Sequence, residues 1–220
     1  MIITLDGPAG AGKSSTARAL ARRLGWFYMD TGAMYRAVTL VALERTISLH
    51  DAEGLAALAE SLAIAFRDGR VAAVIRSVRI SVGTSRSLTN TRPVADAPPV
   101  REVMKRMQRS IAEGLDVVTE GRDQGSVVFP HAELKVFLTA SPEERALRRH
   151  REEAARGAAS SLDAVLSAQN RRDEGDRVRA VGAMKPADDA VLVETDGLTQ
   201  DDVVERLVQL IEERRSPRSS

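Results

Sequence analysis

Gly7, Gly12, Lys13 and Ser14 carry the strongest chemical pattern in the chain. In "GPAGAGKS", residues 7 to 14, Gly7 is followed by four residues and then by Gly12, Lys13 and Ser14, which satisfies G-x-x-x-x-G-K-[ST]. Such a loop, here Gly7, Pro8, Ala9, Gly10, Ala11 and Gly12, curls backbone N–H groups around a phosphate where a helix begins. Free amide donors and the helix dipole both favour an anion at that point. Lys13 adds a point charge for the outer phosphates, the Ser14 hydroxyl suits a Mg²⁺ ion, and Ser15 falls in the first helical turn. The expected ligand is a nucleoside triphosphate.

A phosphate loop alone fits a switch GTPase, a motor ATPase or a small-molecule kinase. The base-reading motif N-K-x-D of GTPases is absent from the sequence, and 220 residues are too few for motor elements. Arginines favour the kinase. They recur near the ends of expected elements, at Arg36, Arg101, Arg122, Arg148, Arg149, Arg156, Arg172 and Arg179. A kinase must bring two polyanions together and spread the charge of a loose transition state over fixed cations. The planar, always charged guanidinium suits that task better than lysine. Glu120 ends an apolar run beside the glycine loop and is expected to hold magnesium through water.

These residues need a scaffold. "MIITLDG" reads as a buried strand and "SSTARALARRLG" as a helix closed by Gly25, so the glycine loop joins strand to helix. "WFYMD" then feeds "TGAMYRAVTLVALER", a helix capped by Asp30 or Thr31. "EGLAALAESLAIAF" has helical spacing, and "VAAVIRSVRISV" reads as a small antiparallel insert. "TRPVADAPPV" holds three prolines and is expected to be a connection, with a helix from about Arg101. "DVVTEGRD", "LKVFLTA" and "DAVLVET" are strands, and "SPEERALRR" carries a capping box on Ser141 and Glu144. An amphipathic helix over "TQDDVVERLVQLIEER" and a mobile tail, "RRSPRSS", close the chain. Alternating strands and helices predict a three-layer α/β fold with a mainly parallel sheet. The expected division is core 1–65, β-rich insert 66–98, and core 99–220.

Composition narrows the function further. Thirty-two basic residues face thirty-one acidic ones, so no long-range field draws the whole protein to nucleic acid or membrane. One Trp, two Tyr and four Phe are too few for a base-stacking platform. The absence of cysteine excludes disulfides, thiolate catalysis and Cys-ligated zinc, and His50, His131 and His150 lack ligand spacing. With no leader pattern and no eighteen-residue apolar span, a cytoplasmic monomer acting on small-molecule nucleotides is expected.

Taken in order, "DGPAGAGKSS", "DTGAMYR", "EGRDQGSVVFP", "KVFLTASPEERALRR" and "RRDEGDRVRA" resemble the bacterial cytidylate kinases over nearly the whole chain. The resemblance implies phosphoryl transfer from ATP with Mg²⁺ to CMP or dCMP. It also implies a nucleoside-monophosphate-binding insert and a mobile lid near residues 149 to 160. By the same resemblance Thr31 lies near the base and Arg36 binds the acceptor phosphate. Arg101 and Arg179 look like base-side ligands, Arg122 and Arg172 like phosphate ligands, and Asp176 like the sugar-binding aspartate. Arg149 and Arg156 fall in the lid, and Asp123 is the residue that reads the cytosine amino group.

Chemistry agrees with that last role. Cytosine offers an amino donor with acceptors at N3 and O2, which a carboxylate and arginines complement, whereas uracil would leave those charges unpaired. The sequence departs from the family pattern at Arg92, which stands where a sugar-binding serine is usual, and at Gln124, where a hydrophobic residue is usual. The competing expectations are a phosphate-loop kinase for UMP, AMP or shikimate, and an arginine-rich module that binds RNA.

Overall fold

The computed structural model describes residues 1–67, 70–75, 78–81, 91–155, 157 and 160–215, with backbone alone for 67, 70–75 and 78–81. Contacts divide the chain into one unit of Met1–Phe27 with Asp116–Ser220, and a second of Tyr28–Leu115. Arg214 and Arg215, expected to open a mobile tail, belong to the closing helix, while residues 216–220 of that tail and Arg156 lie outside the described residues.

The first unit is built on β1 (Ile2–Asp6), which pairs in parallel with β6 (Val117–Glu120) on one side and β7 (Leu134–Thr139) on the other. β7 in turn pairs in parallel with β8 (Val191–Glu194). With β2 (Phe27–Asp30) the strand order is β2-β6-β1-β7-β8. Strands buried on both faces read as apolar runs, and Ile3, Leu5, Val117, Val118, Leu134 and Leu138 are inaccessible to solvent. α1 (Lys13–Leu24) packs on α8 (Gln200–Arg215), and Leu20 of the first and Leu207 and Ile211 of the second are buried. Gly25 closes α1 in the left-handed conformation, as its position predicts. α6 (Pro142–Ala154) is capped by Ser141, whose hydroxyl accepts from Glu144 N, and it packs on α7 (Leu162–Arg177).

In the second unit Asp30 caps α2 (Thr31–Glu44) by accepting from Ala33 N at 2.7 Å, which decides between Asp30 and Thr31. α3 (Ala52–Ser61) packs on α5 (Pro98–Ala112), and β3 (Ala63–Arg67), β4 (Arg70–Ile75) and β5 (Val78–Ser81) form an antiparallel sheet. The helix expected to run on through "AIAF" therefore stops at Ser61. "AIAF" fits either period, and register with β4, Ala63 opposite Val74 and Phe66 opposite Val71, makes it a strand. The expected connection before Arg101 is also partly helical. α4 (Arg92–Asp96) and α5 start with Pro93 and Pro98 in their first turns, where the missing N–H costs no hydrogen bond.

Candidate phosphate-transfer site

The loop between β1 and α1 is shaped by steric exclusion. Gly7 has φ 139° and a Cβ there would lie 2.0 Å from the Leu138 carbonyl oxygen, so only glycine fits against β7. Gly12 caps α1 at φ 83°. Lys13, the first helical residue, is 5% exposed and donates from Nζ to Pro8 O at 2.7 Å. Burial pushes its pKa well below the ordinary lysine value; Arg122 and Arg172 push it the same way, against Glu120 and Asp6. Ser14 Oγ donates to Glu120 Oε1 at 2.8 Å, so the hydroxyl and the carboxylate expected at a metal meet.

Asp6, the last residue of β1, accepts from Gln124 N at 2.9 Å and Gly125 N at 2.7 Å. Those two amides open a single π-helical turn, Gln124–Val128, directly after Asp123. Burial raises the Asp6 pKa to about 7, a shift that Asp123 adds to while the two amides and Lys13 oppose it. Asp123 is buried, and its carbonyl accepts from Val127 N and Val128 N inside the turn. Gln124 fills its position as a buried polar residue, its Oε1 accepting from Thr119 Oγ1 at 2.9 Å.

Behind the loop, α6 and α7 supply ionic partners. Asp176 Oδ2 accepts from Arg122 Nε at 2.8 Å and its Oδ1 accepts from Arg179 Nη2 at 2.6 Å. Burial works against the Asp176 charge, but Arg122, Arg179 and Arg172 outweigh it and hold the carboxyl below the usual range. Arg179 lies two residues beyond α7, yet it still turns back onto that helix. Arg172 keeps a solvent-exposed surface, while the protein mass around it and the charges of Arg122 and Arg149 push its pKa down to about 10. It remains fully charged at neutral pH. Arg149 Nε is paired along its own helix with Glu153 Oε1 at 2.6 Å, and Arg148 donates to Thr195 Oγ1 at 3.0 Å.

The second unit holds the other expected residues. Thr31 is 3% exposed at the start of α2. Arg36 reaches back along α2 to Asp30 Oδ2 at 3.2 Å, passing Gly32, where a Cβ would lie 3.1 Å from Arg36 Nη1. Arg101 is 7% exposed, donates to Ala95 O at 3.1 Å and lies with its guanidinium 5.9 Å from the Tyr35 ring centroid. Arg92 forms an exposed pair with Asp96 along α4.

Sequence reading missed Asp6, Arg145 and Asp173. Arg145 Nε donates to Ala140 O at 3.0 Å, its Nη1 donates to Ala9 O at 2.9 Å, and it pairs with Asp173 Oδ2. Asp173 Oδ1 accepts from Ala9 N at 3.1 Å. A signal for Asp173 was present: α7 buries Val165, Gln169, Asp173 and Asp176 on one side, a polar inward stripe that packing alone does not explain.

A parallel sheet with a glycine loop after its central strand, leading into a helix headed by a buried lysine, defines a phosphate-loop α/β protein. A family model described as cytidylate kinase matches residues 3–213. The cytidylate kinase of Rhodopirellula baltica is 47% identical over 97% of this chain and 93% of its own length. Those of Exiguobacterium sibiricum, at 48% over 96% of each chain, and Carboxydothermus hydrogenoformans, at 44% over 96% and 97%, are comparably similar. The chain belongs to the cytidylate kinase family, and it is therefore an enzyme that takes a phosphoryl group from ATP.

Among solved structures, a protein of Eubacterium ventriosum covers 96% of this chain and 98% of its own at 10% identity and a TM-score of 0.55. Shikimate kinase of Acinetobacter baumannii, solved with shikimate, covers 98% and 95% at 14% identity and a TM-score of 0.50. At such identities the likeness is one of fold. Among the described residues no helix is long and apolar enough to cross a membrane.

Proposed function

We propose that the chain transfers the terminal phosphoryl group of ATP to CMP or dCMP, releasing ADP and CDP or dCDP. The observation that carries this reading is the crowding of cations in the first unit. Burial lowers the pKa of both Lys13 and Arg172, and neighbouring cations push the same way, Arg122 and Arg172 on Lys13 and Arg122 and Arg149 on Arg172, so four basic groups, Lys13, Arg122, Arg149 and Arg172, repel one another across one region. A polyanion bound among them relieves that repulsion, and one charge-dispersed phosphoryl group in flight between two nucleotides does so best.

In this reading the loop from Gly7 to Ser15 holds the ATP phosphates and Lys13 sits by the outer ones. An oxygen of the acceptor phosphate attacks the γ-phosphorus as the bond from that atom to the β,γ-bridging oxygen breaks, and the bridging oxygen leaves with ADP. The attacking oxygen is already anionic, so orientation replaces a general base. Arg36, Arg122 and Arg172 bind the acceptor phosphate, with Thr31, Arg101, Asp123 and Arg179 on the base. Asp176 serves the sugar; two arginines use its inner lone pairs, and a carboxylate has about four acceptor sites. Arg149 and Arg156 belong to a lid over 149–160 that excludes water, and residues 66–98 form the acceptor-binding insert.

Ser14 and Glu120 would hold Mg²⁺, the hydroxyl directly and the carboxylate through water, and their 2.8 Å hydrogen bond fits that division. Among the described residues no cluster of three His, Asp or Glu forms a cage, which suits an ion that takes most of its ligands from phosphate and water. When bound, the ion would offset charge on the β- and γ-phosphate oxygens. The enzyme acts on free nucleotides as a cytoplasmic monomer, without nucleic acid or membrane partners. The test is ADP release from ATP and Mg²⁺ with CMP, dCMP, UMP, AMP or shikimate as acceptor. CMP and dCMP are expected to exceed the others at least a hundredfold in kcat/KM, and an equal or greater value for any other acceptor refutes the assignment.

A further inference from the structure

The crest of the phosphate loop is not held by the loop alone. Ala9 offers one donor and one acceptor, and both are taken from behind: its N–H by Asp173 Oδ1 at 3.1 Å and its carbonyl by Arg145 Nη1 at 2.9 Å. Arg145 and Asp173 also bond to each other, and their side chains are 3% and 2% exposed. Arg145 Nε is tied to Ala140 O at the end of β7. Gly10 continues the contact, because a Cβ there would lie 3.0 Å from Arg145 Cβ and 3.2 Å from Gln169 Oε1.

An isolated buried ion pair gives little net stability, since desolvation consumes most of the attraction. This one does something more specific. It turns the Ala9 amide away from the front of the loop and leaves anion binding to the amides that begin α1, which have no intrahelical acceptor. It also fixes the loop to two helices that carry arginines. Arg149 is four residues beyond Arg145 on α6, and Arg172 immediately precedes Asp173 on α7.

We propose that Arg145 and Asp173 are positioning residues for the donor: a buried clasp on Ala9 that sets the phosphate loop in register with the arginines of α6 and α7. The inference rests on the reading of the loop as the ATP site. Neither residue touches substrate. Both act through the backbone of Ala9, so their loss is felt by ATP far more than by CMP.

The test compares wild type with Asp173→Asn, which keeps size and loses charge, by calorimetric titration of Mg·ATP without acceptor and by KM for each substrate. The expected result is at least a tenfold weaker ATP affinity and a matching rise in KM for ATP, with KM for CMP within twofold of wild type. A folded variant with lowered Tm but ATP affinity within twofold of wild type overturns the proposal, because a merely structural clasp gives that outcome. If Asp173→Asn does not fold, Arg145→Lys carries the same test and the same two outcomes. Lysine keeps the charge opposite Asp173 but cannot reach Ala9, Ala140 and Asp173 together. Wild type that binds ATP without making CDP refutes the proposed function and leaves this titration valid; wild type that does not bind ATP refutes both.

Discussion

Replacing Asp176 by asparagine probes the cation cluster most sharply. The carboxylate accepts from Arg122 at 2.8 Å and Arg179 at 2.6 Å, and the three side chains are 9%, 17% and 7% exposed. Asparagine keeps one acceptor but turns an NH₂ group toward a guanidinium, so at least one charge-assisted bond is lost and two arginines face each other unneutralised. Each such bond contributes roughly 1.5–3 kcal/mol, and removing one partner of a buried network costs about 3–5 kcal/mol. The burial that opposes the Asp176 charge is relieved in the variant, which places the net loss near the lower end, about 3 kcal/mol.

The sign of the pH dependence follows from the depressed pKa. The contribution of Asp176 is complete above its unfolded value of 3.8 and is lost as pH falls from there through the lower native value. Urea unfolding of wild type and Asp176→Asn at pH 7 and near pH 3 should show a gap of about 3 kcal/mol that narrows in acid. Pyrophosphate should raise the Tm of the variant more than that of wild type, because the cluster has lost its internal anion. A gap below about 1 kcal/mol, or one that is constant with pH, refutes the reasoning.

Three further outcomes are expected. Lys13→Ala should reduce kcat at least a thousandfold while CMP affinity by titration changes less than threefold, and loss of CMP binding in a folded variant would reverse the donor and acceptor assignments. Asp123→Ala should narrow the preference for CMP over UMP at least tenfold in kcat/KM; unchanged selectivity removes Asp123 from base reading. The Asp6 carboxyl, raised from 3.8 to about 7, favours the fold when protonated, so its contribution is complete below pH 3.8 and lost as pH rises toward 7. A shift of that size corresponds to roughly 4 kcal/mol at most. Asp6→Asn should flatten that fall in unfolding free energy, and an identical pH profile contradicts the account.

How much of this was legible in the sequence depends on the range of the interaction. The strand, loop and helix around Lys13 are encoded by adjacent residues, as are the Ser141 cap and the closing of α1 by Gly25, so all three were readable. The fate of "AIAF" was not local. Ala63 to Phe66 alternate in size as well as they fit a helix, and the partner β4 makes the choice. The proline-rich stretch before Arg101 misled because proline breaks helix interiors yet favours first turns, and only the position of the turn separates the two. In the site, Asp6, Arg145 and Asp173 bond across separations of 118, 136 and 164 residues, for which no spacing rule exists. The arginines were legible through their recurrence near element ends and through the family resemblance, which also marked Asp176, whereas Asp173, three residues before it, looked like an ordinary member of a charge run.

The central claim, one direct transfer between two bound nucleotides, is tested most directly by the stereochemistry at phosphorus. ATP made chiral at a labelled γ-thiophosphoryl group, turned over once with CMP and Mg²⁺, should yield the β-thio analogue of CDP with inverted configuration, since a single in-line displacement inverts. Retention, or label recovered as free thiophosphate in place of CDP, contradicts the account.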